Sequence, residues 1–280
     1  MAQRLCESHR TALVTGASSG LGEAFADMLA GEGVQVWATA RRRDRLVSLL
    51  ARHPGRIFPV ILDLADGPAA ETAFRAAAAE AGGTFDLLVN NAGYGVFGEF
   101  AAVETAVWEA QLAAMLGTTL RLTHLAWRAW TARGRGTLVN VSSLAAEFPL
   151  PYLSGYNVVK AGLSALSESL MFESRGRDLI VIDFRPGDYR TDFNRAMRPA
   201  PLSPPPSAGL AAVWKTLEAN LQGAPAPARA AADLRRALAR RRSGIVRSGS
   251  LFQARFAPLA ARCCPPAALR AVMARYFGSR

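Results

Sequence analysis

Short runs of apolar residues alternate with longer segments of helical periodicity over the first 190 residues. The apolar runs predict strands at 11–15, 34–39, 57–62, 85–90, 137–142 and 179–184. The alanine- and leucine-rich segments between them predict helices at 21–31, 68–81, 104–132 and 157–175. Strands that are apolar throughout and separated by helices are typical of a parallel sheet covered on both faces, so we predict a Rossmann-like, doubly wound α/β fold. Ligands of such a fold bind beyond the carboxyl ends of the strands.

The pattern changes after residue 198, where the proline-rich sequence RPAPLSPPPSAG is followed by a second break, GAPAPAR, at 223–229. Periodicity predicts helices at 207–222 and 231–242, and the run GIVRS predicts a last strand at 244–248. The segment 266–277 predicts an amphipathic helix with an apolar stripe of Leu269, Val272, Met273 and Tyr276. We therefore predict a mainly parallel seven-stranded sheet, with helices on both faces and a C-terminal helical extension.

The charge of the chain is divided unevenly between its two parts. The formal net charge is +11; residues 1–194 carry 18 basic against 20 acidic side chains, and residues 195–280 carry 15 against 2. The basic excess therefore belongs to the C-terminal third, where it suits anionic substrates such as acyl carriers. Nucleic acid is not an expected partner, because aromatic and lysine-rich recognition patterns are missing.

Neither a targeting signal nor a metal-binding pattern is evident. No stretch approaches the roughly 18 consecutive apolar residues that a membrane-spanning helix needs. The N-terminal residues MAQRLCESHR contain no apolar segment typical of a signal peptide. Three cysteines and three histidines without ligand spacing predict neither a disulfide framework nor a zinc site. We expect a reduced, cytoplasmic protein.

The sequence TGASSGLG, residues 15–22, follows the first predicted strand and opens the first predicted helix. Its glycines, Gly16, Gly20 and Gly22, allow a sharp turn and a close approach of the backbone to a pyrophosphate, and the helix N-terminus supplies free N–H groups. A glycine-rich turn alone is a weak signal, because it also occurs as an ordinary tight turn. Its position directly after the first strand favours a dinucleotide site.

Three consecutive arginines, Arg41, Arg42 and Arg43, follow the second predicted strand. In dinucleotide folds an acidic residue near this point binds the ribose hydroxyl of NAD, whereas guanidinium groups bind a 2′-phosphate through paired hydrogen bonds. A solvated start of a helix is the alternative interpretation. Together with the glycine loop, the arginines favour NADP over NAD. Asp63, at the end of the third predicted strand, is placed to accept a hydrogen bond from the adenine amino group.

Tyr156 and Lys160 are four residues apart in YNVVK, so a helix places both on one face. A nearby ammonium group stabilises a phenolate and lowers the pKa of the phenol, which lets the tyrosine act as an acid or base. Lysine also passes protons along a water chain, which the permanently charged arginine does not do. Ser143, after the fifth predicted strand, is placed to hydrogen-bond a substrate oxygen. A tyrosine–lysine pair alone also occurs by chance in many helices.

In this order the motifs resemble those of the short-chain dehydrogenase/reductase family, over about residues 10–195. TGASSGLG is similar to its cofactor loop, NNAG (90–93) to the turn that steadies its central sheet, and RPGDYRT (185–191) to its Pro-Gly turn. NVSS and YNVVK are similar to its catalytic segments. The cofactor-binding residues that the resemblance implies are Gly16, Ser18, Ser19, Gly20, Leu21, Gly22, Arg41, Arg42, Asp63, Leu64, Asn91, Ala92, Gly93, Tyr156, Lys160, Pro186, Gly187 and Thr191.

The resemblance implies hydride transfer between NADP(H) and a carbonyl or alcohol. Tyr156 would be the general acid or base, Ser143 the anchor of the substrate oxygen, and Lys160 the group that tunes the phenol and binds the nicotinamide ribose. Residues 10–195 would form the dinucleotide-binding catalytic Rossmann region. Residues 196–280 would add the substrate loop, the basic helix, the last strand and the amphipathic extension to the same domain.

One position departs from the family pattern. Ala114, in AAMLGTT, stands where the family usually has an asparagine that holds a water linking the lysine to solvent. Alanine has no hydrogen-bonding side chain, so the relay must use other groups or be impaired. The alternative function is therefore an NADP-binding sensor or scaffold of the same fold with weak catalysis.

The substrate and partners are less defined by the sequence. Phe193 is an implied substrate-binding residue, together with Ser143 and Tyr156. The candidates for the wall of a lipophilic pocket are Phe193, Met197, Leu202, Trp214, Phe148, Leu150 and Tyr152. The alternative is that they are ordinary lid and core residues. The family favours a homodimer or homotetramer built on the helices at 104–132 and 157–175. For the helix 266–277 we favour packing on its own core or a second subunit over contact with an anionic membrane.

Overall fold

Seven parallel strands form the central sheet of the computed structural model, which describes residues 4–193, 197–199 and 207–278. These strands are β1 (Thr11–Val14), β2 (Gln35–Ala40), β3 (Ile57–Ile61), β4 (Leu87–Asn90), β6 (Arg135–Val141), β7 (Asp178–Pro186) and β9 (Gly244–Ser248). Two short strands, β5 (Val96–Phe97) and β8 (Arg198–Pro199), pair outside this sheet. The order 3-2-1-4-6-7-9, with every neighbouring pair parallel, confirms the predicted doubly wound sheet.

Helices connect these strands and cover both faces of the sheet. They are α1 (Gly20–Gly31), α2 (Val47–Arg52), α3 (Gly67–Glu80), α4 (Thr105–Leu112), α5 (Thr119–Arg133), α6 (Ser154–Glu173), α7 (Ala208–Gln222), α8 (Pro227–Ala239), α9 (Ala257–Cys263) and α10 (Pro266–Tyr276). A π-helical segment joins α4 to α5, and a second one, Phe252–Phe256, precedes α9. Within the described ranges, no helix combines the length and the apolar character needed to cross a bilayer.

Alternate residues of each strand face two separate hydrophobic cores. In β1, Val14 contacts the core that contains Phe25 of α1 and Leu234 of α8. Leu13, its neighbour, contacts the opposite core, which contains Trp130 of α5. The sheet is therefore buried on both faces, which explains why its strands are apolar throughout.

The structure differs from the predicted elements in a few places. The helix predicted at 104–132 is interrupted by the π-helical segment Ala113–Thr118, and the helix predicted at 231–242 begins earlier, with Pro227 in its first turn. The helices α2 and α9 and the strands β5 and β8 were not predicted, because elements of two to seven residues are too short to establish a period. Part of the proline-rich segment, 200–206, lies outside the described residues.

Candidate active site

The carboxyl ends of the parallel strands open into a cavity of about 1140 Å³. The loops that follow β1, β2, β3, β4, β6 and β7 line it, and so does the first turn of α6. The chain reverses its direction of winding between β1 and β4, which separates the two following loops and leaves a crevice between them. Every residue predicted for cofactor binding or catalysis lines this cavity except Gly22, and Arg43, the third of the consecutive arginines, does not line it either.

Gly22 shapes the glycine loop from inside the protein. A Cβ atom at this position would lie 2.2 Å from the carbonyl oxygen of Gly16 and 2.4 Å from Nδ2 of Asn91. Gly16 itself has a φ of 67°, and a Cβ there would lie 2.8 Å from Cα of Ala92. The loop therefore requires glycine at both positions for close packing and for its left-handed turn. This leaves the N-terminus of α1 directed at the cavity, where it can receive a phosphate group.

The NNAG turn is held by side-chain hydrogen bonds on both sides. Asn91 donates from Nδ2 to the carbonyl oxygen of Thr15 at 2.9 Å, while its backbone N–H donates to Oγ1 of Thr15 at 2.8 Å. Asn90 donates from Nδ2 to Oγ1 of Thr123 and to Oδ1 of Asn140 at 2.8 and 2.9 Å. These bonds join the loops after β1 and β4 to α5 and β6. The floor of the crevice is therefore fixed in position.

A cluster of cations lies where β2 ends. Arg41, Arg42 and Arg45 line the cavity and are exposed, and within the described residues none of them forms an ion pair. Arg45 was missed in the sequence, although it continues the same basic run by one helical turn. Asp63 lines the cavity from the end of β3, and its Oδ1 accepts a hydrogen bond from the N–H of Ala65 at 3.0 Å.

Tyr156 and Lys160 lie on the buried face of α6, beside the end of β6. Nζ of Lys160 lies 5.4 Å from the ring centroid of Tyr156 and donates a hydrogen bond of 2.7 Å to the carbonyl oxygen of Val141. Ser143 follows β6, where its Oγ accepts from the N–H of Ala145 at 3.0 Å and donates to the carbonyl oxygen of Pro186 at 3.4 Å, and this hydroxyl lies beside the phenol of Tyr156. The three predicted catalytic side chains therefore meet at one point of the cavity wall.

Burial sets the protonation of this group. It raises the pKa of Tyr156 to about 12, although the neighbouring hydroxyl of Ser143 acts in the opposite direction. This result differs from the lowered phenol pKa expected from the sequence, because desolvation of the phenolate outweighs the stabilising contacts. Burial also lowers the pKa of Lys160 to about 8, while the charge of Asp183 raises it. At neutral pH the tyrosine therefore holds the proton that it would donate.

A buried ionic cluster lies behind Lys160. Asp183, with no exposed surface, accepts hydrogen bonds from Ser142, from Ser164 at 2.8 Å, and from Nε of Arg185 at 2.7 Å. Arg185 also donates to Oε1 of Glu147 at 2.5 Å. Because each charged group has a partner, the cluster can keep a carboxylate in the protein interior near the lysine ammonium. The sequence offered no motif for it, since the cluster joins β6, α6 and β7 only in three dimensions.

Ala114 lies in the π-helical segment between α4 and α5 and lines the cavity with 3% of its surface exposed. Insertions of this kind occur often at functional sites, because they shift the helix by a fraction of a turn and leave backbone groups without their usual partner. The side chain that Ala114 contributes to the cavity wall is therefore apolar. A water molecule beside it has to form hydrogen bonds with backbone atoms or with neighbouring residues.

The substrate side of the cavity differs in part from the expected set. Phe148, Leu150, Phe193 and Met197 line it. The rings of Tyr152 and Trp214 instead pack against Phe97, with centroid distances of 6.0 and 5.1 Å. Leu202 lies outside the described residues. The lining residues missed in the sequence include Met115, Asp188, Leu217, Phe252, Gln253, Leu269, Val272, Met273, Tyr276 and Phe277.

Asp188 had a signal in the sequence, because it stands inside RPGDYRT. Burial raises the pKa of its carboxyl group, and Nε2 of Gln253 donates to its Oδ2 at 2.6 Å. The residues of the C-terminal helices had no such signal. They reach the cavity only because the chain returns over the site after β9.

Comparisons with known proteins agree with this geometry. Residues 10–201 match the family model described as short chain dehydrogenase. The protein named dehydrogenase/reductase SDR family member 4 from Bos taurus is 32% identical over 200 residues, which cover 70% of this chain and 72% of that protein. Carbonyl reductase (NADPH) 2 from Sus scrofa is 31% identical over 191 residues, which cover 68% and 76%. A crystal structure of a short-chain dehydrogenase from Streptomyces avermitilis has a TM-score of 0.79 at 30% identity, covering 92% of this chain and 94% of that one.

Proposed function

The chain belongs to the short-chain dehydrogenase family of oxidoreductases, and on this premise we propose that it is an NADP(H)-dependent enzyme that interconverts a carbonyl and an alcohol. The observation that carries the proposal is the meeting of Ser143, Tyr156 and Lys160 at the wall of a cavity that also contains the glycine loop. The glycine loop fits a dinucleotide, because Gly16 and Gly20 line the cavity with backbone alone, which lets a pyrophosphate approach the chain closely.

Each catalytic side chain has a role that follows from its surroundings. The nicotinamide supplies the hydride. The hydroxyl of Ser143 orients the substrate oxygen, and the phenol of Tyr156 donates its proton to that oxygen as it gains charge. Its high pKa makes the neutral phenol the resting form, which suits the direction of reduction. Lys160 then supplies positive charge beside the resulting phenolate, and its pKa of about 8 allows it to exchange a proton near neutral pH.

The preference for NADP(H) rests on the cations after β2. Arg41, Arg42 and Arg45 line the cavity, and Ala40, the last residue of β2, offers no carboxylate to a ribose hydroxyl. The name of the relative from Sus scrofa also specifies NADPH. The phosphate site is exposed, so we expect a moderate preference that weakens as salt concentration rises.

We propose a lipophilic substrate and a homo-oligomeric enzyme. Phe148, Leu150 and Phe193 give the substrate side of the cavity an apolar surface near Tyr156. On the outside, α5 and α6 expose Leu120 and Val158, which supports a homodimer or homotetramer formed through these helices.

The decisive experiment compares the dissociation constants of NADPH and NADH for the wild-type chain and for Arg41→Ala/Arg42→Ala. We expect tighter binding of NADPH, lost in the variant, with binding of NADH unchanged; equal affinities in the wild type would refute the phosphate site. Carbonyl reduction is then measured for Tyr156→Phe, which we expect to lose activity by several orders of magnitude while still binding NADPH.

Ala114 favours a second candidate function, an NADP-binding sensor or scaffold with weak catalysis. Under this alternative the wild type binds NADPH but reduces none of a panel of aldehydes and ketones. Tyr156→Phe then leaves every measured property unchanged. Activity that disappears in Tyr156→Phe excludes this alternative.

A further inference from the structure

The C-terminal helices expose an unusual number of large apolar side chains. Among the described residues, twelve large hydrophobic side chains are exposed, and six of them lie between residues 251 and 276. We call these six the C-terminal apolar face: Leu251, Phe252, Phe256, Leu259, Val272 and Tyr276. Phe252, Phe256 and Leu259 follow one another at helical spacing before and within α9, so they form a continuous stripe.

Packing within the chain does not account for this face. One side of α10 faces the cavity, because Leu269 and Met273 line it, and Phe277, directly after the helix, is buried. Val272 lies on the same apolar stripe and is still 60% exposed. The chain therefore covers this stripe only in part, which is typical of an element that has a second contact outside the chain.

The C-terminal segment that carries the face has charges of one sign. After Asp233 the chain contains eleven arginines and no acidic residue. Arg235, Arg241 and Arg247 pair with carboxylates of the main domain. Arg255, in the π-helical segment before α9, and Arg270 and Arg275, in α10, are exposed and form no ion pair with any described residue.

The apolar face also surrounds an opening of the cavity. Phe252, Val272 and Tyr276 line the cavity, yet 65%, 60% and 51% of their surfaces are exposed. A side chain that satisfies both conditions lies at the rim. The lipophilic substrate side of the cavity therefore opens onto the same surface that exposes the unpaired arginines.

We propose that the C-terminal apolar face docks the enzyme on an anionic lipid surface, with the mouth of the cavity turned towards the bilayer. Apolar side chains enter the boundary between head groups and acyl chains, and the neighbouring arginines bind lipid phosphates. In this orientation a lipid-borne carbonyl or alcohol can pass from the bilayer to Tyr156. This statement about the substrate rests on the proposed function, whereas the docking does not.

A second copy of the chain fits this face less well. A two-fold interface places the same surface against itself, so the unpaired Arg255, Arg270 and Arg275 of both copies would approach one another without a carboxylate in the segment. Nucleic acid would satisfy the arginines but leave Phe256 and Leu259 in water. An anionic bilayer complements both the charge and the apolar surface.

Flotation of the full chain with vesicles tests the docking without requiring cofactor or substrate. We expect binding to phosphatidylcholine vesicles that contain phosphatidylglycerol, and about tenfold weaker binding to phosphatidylcholine alone. Phe256→Ser/Leu259→Ser should lower the partition coefficient at least about tenfold. Both residues are more than 60% exposed and neither lines the cavity, so the variant should fold and bind NADPH normally.

Val47→Ser/Ile61→Ser is the matched control, because these two residues are 60% and 52% exposed and lie at the opposite edge of the sheet. We expect its binding to vesicles to equal that of the wild type. Absence of flotation, or equal flotation of the two variants, overturns the proposal. A change of oligomeric mass in Phe256→Ser/Leu259→Ser without a change in flotation overturns it in favour of a second copy. If the wild type does not bind NADPH, the proposed function is refuted. The docking proposal is then still decided by flotation, which requires no cofactor.

Discussion

Two glycines of the same helix give a sharp test of the cofactor loop. Gly22 and Gly31 both belong to α1, and both would receive a methyl group on substitution by alanine. In Gly22→Ala the new Cβ would lie 2.2 Å from the carbonyl oxygen of Gly16 and 2.4 Å from Nδ2 of Asn91. In Gly31→Ala no atom lies within 4 Å of the new Cβ. The pair therefore separates the effect of close packing at the loop from the effect of helix propensity.

The size of the effect follows from these distances. Relief of the overlap at Gly22 requires a backbone shift on the order of 1 Å, and overpacking of this kind costs about 1–3 kcal/mol of stability. For a chain of this length, each kcal/mol corresponds to a Tm change of about 2–4 °C. The better helix propensity of alanine offsets about 0.5–1 kcal/mol in Gly22→Ala and is the whole effect in Gly31→Ala. We therefore expect a lower Tm for Gly22→Ala and an equal or slightly higher Tm for Gly31→Ala.

Thermal unfolding and NADPH titration together decide the outcome. Because Gly16 and Asn91 both line the cavity, a shift of either residue should weaken NADPH binding about tenfold or more in Gly22→Ala. Gly31→Ala should bind NADPH like the wild type. Unchanged Tm and affinity in Gly22→Ala would refute the requirement for glycine at the base of the loop. A loss of Tm with full NADPH affinity would show that the contact supports the fold but does not shape the cofactor site.

Three further predictions concern the chemistry of the site. In the wild type, burial lowers the pKa of Lys160 to about 8, and the charge of Asp183 raises it. Asp183→Asn removes that charge, so the decline of kcat at alkaline pH should move to lower pH. An unmoved pH profile would contradict this coupling. Ala114→Asn should raise turnover and lower the solvent isotope effect if proton relay limits the rate, and an unchanged kcat would count against that limit. Arg45→Ala should weaken NADPH binding about two- to fivefold, as for an exposed charge pair, and leave NADH binding unaltered, as titration of both nucleotides can check.

The fold could be predicted because its signals are local. Each buried strand is a short apolar run, and each crossover helix shows its own period, so the order of elements follows from the sequence. The short helix α2 and the two-residue strands β5 and β8 carry no such period. The π-helical segment Ala113–Thr118 was also hidden, because its residues are compatible with the regular helix that flanks it. This segment contacts α6 and lines the cavity, and neither contact leaves a pattern in the sequence.

The cofactor half and the substrate half of the site also differ in how well the sequence predicts them. The cofactor half is built from loops that directly follow strands, so TGASSGLG and NNAG can be located by their distance from an apolar run. The substrate half is completed by the π-helical segment Phe252–Phe256, α9 and α10, which reach the cavity from more than 60 residues beyond Thr191. Gln253, Leu269 and Met273 therefore belong to the site only through tertiary structure. A sequence pattern predicts that such a helix forms, but it does not show which part of the fold the helix packs against.

Two buried cations near Asp183, Lys160 and Arg185, show why lysine and arginine are not interchangeable at this site. Arg185 and Lys160 are both buried near Asp183. Burial lowers the pKa of Arg185, but Asp183 and Glu147 outweigh it and raise that pKa, so the guanidinium stays charged and holds the carboxylate in place. Lys160 has no carboxylate within hydrogen-bonding distance among the described residues, and its pKa falls to about 8. An arginine can therefore anchor the cluster permanently, while only a lysine at position 160 can lose and regain a proton beside Tyr156.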